Sequence, residues 1–159
     1  MTTAERLVGR LSEIGKTCGT AESCTGGGVG NAITSVAGAS AVFWGGIISY
    51  DNSVKRDVLN VPKEVLETKG AVSSECAAAM ADGARRLLKT DFAVSITGIA
   101  GPDGGSAEKP VGLVWFGIAS SAGVKTESVI FSGGRAEVRS GAVEHALGMI
   151  LTAANGERA

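Results

Sequence analysis

The octapeptide Ala21-Glu22-Ser23-Cys24-Thr25-Gly26-Gly27-Gly28 follows a short, partly β-favouring segment and opens a run of small residues. That order describes a strand turning sharply into a helix. At such a junction the first backbone N–H groups lack intrahelical partners and the helix dipole is positive, which suits a phosphate, a carboxylate or a developing oxyanion. Ser23 stands at the mouth of the turn. A capped helix start with flexible glycines has the same composition, so the flanking sequence has to decide between a site and a cap.

Upstream, Leu7, Leu11 and Ile14 recur at helical intervals, which predicts an amphipathic helix over Thr3 to Ile14 with Gly15 as its stop. Lys16 to Glu22 is the first strand. Downstream, a small-residue helix runs from about Gly26 to Ser35, and its glycines permit close approach of the backbone to a ligand or a sheet. Val42 to Tyr50 is apolar on both parities, the pattern of a buried central strand. Asn52 or Ser53 then caps a short helix, Val54 to Leu59, and Lys63 to Thr68 supplies further helical turns. Ser73 to Lys89 carries the strongest helical stripe, with Cys76, Met80, Ala84, Leu87 and Leu88 inward. Phe92 to Ile96 is a buried strand leading into a second glycine-rich loop, Thr97 to Gly105. Val111 to Ser120 and Lys125 to Phe131 read as an antiparallel hairpin, and the last helix extends to about Ala153.

Strands alternating with helices and closed by a hairpin imply an α/β fold, a three-layer α/β/α sandwich on a mixed, mostly parallel five-stranded sheet. The 159 residues fit one domain, 1–159, and a chain of this size buries roughly 70% of its unfolded surface. A net charge of −1 gives no basic field for a phosphate backbone, so nucleic acid is not the expected partner. Cys18, Cys24 and Cys76 form no CxxC pair, which argues against a zinc site and for a reducing cytoplasm. No metal-ligand constellation is visible. Cys24 alone sits at a helix N-terminus, where a thiol can be acidified into a nucleophile. The longest apolar run, Ala41 to Tyr50, is too short for a bilayer, and no membrane partner is expected. Its Phe43–Gly46 portion is as suited to a subunit contact as to the core, leaving room for a homo-oligomer.

Ligands of such folds bind beyond the carboxyl ends of strands. Ser23, Tyr50 and Thr97 all fall at those ends, so three sequence-distant polar groups converge on one edge. Two glycine motifs are excluded: no Gly-Lys-Ser/Thr follows a Walker-type run, and Gly26 to Asn31 lacks the third glycine and the acidic partner of a dinucleotide fingerprint. His145, the only histidine, lies on the face of the last helix opposite Leu147 and reads as a solvated surface residue, so no Ser-His-Asp triad can be assembled. Arg135 and Arg139, spaced i,i+4, share a helix face that can clamp a phosphate or simply be solvated.

Five ordered motifs then come together: Ala-Glu-Ser-Cys-Thr-Gly-Gly at 21–27, Gly-Gly-Ile-Ile-Ser-Tyr-Asp-Asn-Ser-Val-Lys at 45–55, Gly-Ala-Val-Ser at 70–73, Thr-Gly-Ile-Ala-Gly-Pro-Asp-Gly-Gly at 97–105 and Lys-Pro-Val-Gly at 109–112. In this the chain resembles the CinA C-terminal-domain family in its stand-alone form, over roughly Leu7 to Leu151. The resemblance implies hydrolysis of the carboxamide of nicotinamide mononucleotide to nicotinate mononucleotide and ammonia, without a cofactor. It implies Ser23 as nucleophile and Lys55 beside it as base, which requires a depressed lysine pKa. Tyr50 would relay or hold the proton, and Thr97 would bond the amide or the serine. Thr25, Gly26, Gly27, Asn52, Gly98, Gly101, Arg135 and Arg139 are the expected substrate contacts. The N–H groups of Thr25 to Gly27 serve either the oxyanion or the substrate phosphate, the arginines or the second glycine loop taking the other role. The alternatives are a related amidase acting on another carboxamide, and a non-enzymatic pyridine-nucleotide sensor or interaction module linked to competence or DNA damage.

Overall fold

A capping box starts the first helix: Thr2 Oγ1 accepts from the Glu5 N–H while the Glu5 carboxylate accepts from the Thr2 N–H. This helix, α1, covers Thr3–Ile14 and ends at Gly15 in the left-handed conformation. A computed structural model describes residues 1–158, in which α1 is followed by β1 (Cys18–Glu22), α2 (Gly28–Thr34), a 3₁₀ turn (Ala39–Ala41) and β2 (Phe43–Ile48). Then come α3 (Asn52–Asp57), α4 (Lys63–Thr68), α5 (Ser74–Leu88), β3 (Phe92–Gly98), β4 (Leu113–Ser120), β5 (Gly123–Ile130) and α6 (Arg135–Asn155).

The strands form one sheet in the order β2-β1-β3-β4-β5. β1 pairs in parallel with both β2 and β3, and β3-β4-β5 continues antiparallel, so every strand except β4 points the same way. Helices cover both faces. On one side α1, α2 and α6 enclose a core that includes Leu7, Leu11, Val29, Ile33, Val94, Phe116, Val138 and Ile150. On the other, α5 lies across β1, β3, β4 and β5, with Met80 and Ala84 buried against Ala21, Leu59 and Ala93. Glycine sets the spacing on that side: a methyl group at Gly83 would run into the Leu59 carbonyl. The expected three-layer sandwich is present.

Four local expectations change, the simplest being that Leu87, expected inward on α5, is 53% exposed. Val42 to Tyr50 is not a central strand: β2 is an edge, alternating half-buried and exposed, with Trp44 and Ile48 both more than half exposed. An apolar run on both parities marks a buried strand only when neighbours exist on both sides, and β2 has one. The short α3 is capped by Asp51 rather than Asn52 or Ser53; the Asp51 carboxylate accepts from the Ser53 N–H at 2.9 Å and the Ser53 hydroxyl at 2.6 Å. His145 is half-buried rather than solvated, its ring tilted at 46° to that of Phe116 with the centroids 4.4 Å apart, and bonded to Glu127 at 3.3 Å. No helix among the described residues is long and apolar enough to cross a membrane.

Candidate active site

β1 ends at Glu22, and Ser23 leaves the sheet with its N–H still donating to the Ile96 carbonyl of β3 at 3.0 Å. The chain then turns through Gly26 and Gly27, whose φ values of 58° and 98° lie in the left-handed region that a side chain disfavours. β2 ends beside it, and Ser49 is tied back by its N–H to the Glu22 carbonyl at 2.8 Å. The α3 helix that follows places Lys55 over the strand ends.

Lys55 is 1% exposed, among the largest fully buried side chains of the described residues. Its Nζ lies 3.1 Å from Ser23 Oγ, 2.7 Å from the Ser49 carbonyl and 3.0 Å from the Tyr50 carbonyl. Among the described residues no carboxylate stands within ion-pair distance of it. Burial therefore dominates, holding the Lys55 ammonium below its ordinary value of 10.5 against weaker opposing fields from Cys76, Asp51 and Cys24. A serine hydroxyl against an amine whose charged form is disfavoured is a nucleophile–base pair.

The pair opens into a cavity of about 210 Å³ lined by Ser23, Cys24, Tyr50, Asn52, Lys55, Thr97, Gly98 and Arg135 among others. Tyr50 is 62% exposed; its phenol oxygen accepts from Arg135 at 3.3 Å, and its backbone carbonyl is what meets Lys55. Thr97 is buried with its hydroxyl donating to the Ala71 carbonyl at 2.8 Å, so it fastens the α4–α5 loop to the cavity wall and bonds no serine. Arg135 also donates to the Gly101 carbonyl at 2.8 Å, joining the second glycine loop to α6. Arg139 is engaged differently: it donates to the carbonyls of Cys24 and Thr25 at 3.0 and 3.3 Å, bracing the nucleophile turn from α6. The two arginines thus take separate positions instead of forming one clamp.

Two readings of the turn are overturned. Cys24 is not an acidified thiol, since burial pushes it up to about 11. Nor is the α2 N-terminus open to an external anion. The Glu22 carboxylate, 1% exposed, already accepts from the Val29 and Gly30 N–H groups at 2.8 and 3.0 Å and from the Thr25 hydroxyl at 2.7 Å. Glu22 went unnoticed in the sequence, where the available signal was a carboxylate closing an apolar strand directly ahead of a glycine-rich helix start. The Ser49 carbonyl had no signal, because a backbone oxygen carries none.

The fold and site define an α/β/α domain whose parallel strand ends present a serine held by a buried, unpaired lysine. The family model of the CinA C-terminal domain matches residues 1–154, and the chain belongs to that family. It is similar to a CinA-like protein of Geotalea uraniireducens, 53% identical over 80% of this chain and 30% of the relative. A CinA-like protein of Pseudothermotoga lettingae is 42% identical over 95% of this chain and 37% of its own length. The chain therefore spans about a third of the curated relatives it matches. Among solved structures, the competence/damage inducible protein CihA of Agrobacterium tumefaciens superposes with a TM-score of 0.93 at 46% identity, covering 96% of this chain and 93% of that one. A CinA superfamily protein of Klebsiella pneumoniae gives 0.93 at 32% identity, covering 98% and 97%.

Proposed function

We propose that this domain hydrolyses the carboxamide of nicotinamide mononucleotide to nicotinate mononucleotide and ammonia in the reducing cytoplasm. Ser23 is the nucleophile and Lys55 the general base, and the observation that carries the reading is the 3.1 Å approach of a fully buried Lys55 Nζ to Ser23 Oγ. In its neutral form the Lys55 amine can keep two N–H bonds to the Ser49 and Tyr50 carbonyls and leave its lone pair for the Ser23 hydroxyl.

Ser23 Oγ attacks the carboxamide carbon as its proton passes to Lys55. The N–H groups of Cys24 and Thr25 receive the oxyanion; they belong to the turn outside the bonds that Glu22 has already taken. Lys55 returns the proton to the departing nitrogen, releasing ammonia, and water cleaves the acyl group from Ser23 along the reverse path. Arg135 at the cavity wall serves the substrate's phosphate. Incubation with nicotinamide mononucleotide tests the scheme: wild type releases ammonia and Ser23→Ala does not. Absence of release from wild type, or equal release from the variant, overturns it, and tight nucleotide binding without turnover identifies a sensor.

A further inference from the structure

We propose that Glu22 is the positioning residue of this site, its buried carboxylate holding the Ser23–Thr25 turn in the geometry that sets Ser23 Oγ against Lys55. The proposal rests on the nucleophile–base reading of Ser23 and Lys55. It does not depend on which carboxamide is cleaved.

Glu22 is the last residue of β1 and immediately precedes the serine. Its Oε1 accepts from Thr25 Oγ1 at 2.7 Å and the Val29 N–H at 2.8 Å, and its Oε2 from the Gly30 N–H at 3.0 Å and, at 3.4 Å, from Thr20 Oγ1. Among the described residues no cation accompanies it. A carboxylate removed from water without a cation is costly unless such donors converge on it, so its place here calls for more than ordinary packing.

Helix capping alone is a poor account. The N-cap of α2 is Gly27, held at φ 98° and with no side-chain cap, so no local side chain satisfies the leading donors of the helix. The acceptor comes instead from the residue bonded to Ser23, and its bond to Thr25 closes a loop around Ser23 and Cys24. The Ser23 N–H is fixed on Ile96 and the Ser23 carbonyl accepts from the Gly26 N–H at 3.0 Å, so the backbone of the nucleophile is held before, behind and beneath. What remains free is rotation of the hydroxyl arm, and Lys55 takes that up. Because α2's leading N–H groups are spent on Glu22, a substrate anion is met at the opposite wall, by Arg135.

The test uses Glu22→Gln and Thr25→Val with two readouts: turnover of nicotinamide mononucleotide, and the rate at which a fluorophosphonate reagent labels Ser23. Glutamine keeps the shape but sets an NH₂ against a ring of donors; valine removes one bond to the carboxylate and leaves the others. Labelling per folded molecule, measured well below each unfolding midpoint, falls about a hundredfold in Glu22→Gln, the order expected of an ångström-scale misplacement, and about tenfold in Thr25→Val. Turnover falls in parallel through kcat, with KM within about twofold. A lowered midpoint with labelling within about threefold of wild type makes Glu22 a helix cap only and overturns the proposal. Should Glu22→Gln not fold, the Thr25→Val ratio decides by the same criterion. Wild type that labels at Ser23 without consuming the nucleotide overturns the substrate assignment and leaves the labelling ratios to decide on Glu22. Wild type that does not label overturns the proposal, since there is then no primed serine to position.

Discussion

Lys55→Met keeps an unbranched side chain of similar length and deletes the nitrogen, and with it the contacts of 3.1, 2.7 and 3.0 Å to Ser23, Ser49 and Tyr50. Without a group to take its proton, Ser23 loses about 10²- to 10⁴-fold in kcat. The effect on stability follows from proton linkage. Burial holds the folded-state pKa of Lys55 below 10.5, so between that depressed value and 10.5 the unfolded chain binds more protons than the folded one. Wild-type stability therefore rises with pH across this window. Below it the fold carries the whole cost of a buried ammonium, and above 10.5 it carries none. Methionine titrates in neither state. The stability of the variant minus that of wild type is thus greatest at low pH and shrinks as pH climbs toward 10.5. Urea unfolding over a pH series and ammonia release measure the two effects separately. A difference that is flat or grows with pH refutes a depressed Lys55, and retention of more than about a tenth of kcat refutes its role as base.

Gly83→Ala forces a methyl against the Leu59 carbonyl and destabilises the chain by about 1–3 kcal/mol, lowering the thermal midpoint by roughly 2–4 °C per kcal/mol; calorimetry checks it. Cys24→Ala retains turnover, and the native thiol resists iodoacetamide at neutral pH, because burial keeps it protonated up to about 11; mass spectrometry reads the adduct. If Arg135 meets the phosphate as proposed, Arg135→Ala raises KM for nicotinamide mononucleotide about tenfold or more and raises that for the unphosphorylated riboside far less, the shared loss being that of its bonds to Gly101 and Tyr50; steady-state kinetics on both substrates decides.

Periodicity disclosed α1 and α5 nearly to the residue, because each pairs a buried stripe with a recognisable cap, whereas α4, which buries no residue, is bounded by Pro62 and Gly70 alone. It could not place β2, since Trp44 and Ile48 look the same in sequence whether a neighbouring strand covers them or not. Lys55 is the sharper case. On a short polar helix it reads as a solvated lysine, and only the route of the chain from Ser49 back over Ser23 buries it. The motif resemblance, not the local pattern, singled it out. Arg139 shows the same limit from the other direction: it acts on the Ser23 turn from α6, 115 residues along the chain, and no sequence spacing betrays that partnership.

α1 and α6 pack on each other and close the same core, although one begins at Thr3 and the other ends at Asn155. Contacts of such sequence separation form late, after the loop between them has been closed. During synthesis the apolar stripe of α1 stays incompletely covered until α6 has emerged, and neither the arginine that braces the nucleophile turn nor the one at the cavity wall exists before then. A chain released ahead of Arg135 therefore carries Ser23 and Lys55 but exposes Leu7 and Leu11 to solvent, which makes it a substrate for chaperones and proteases instead of a partial enzyme.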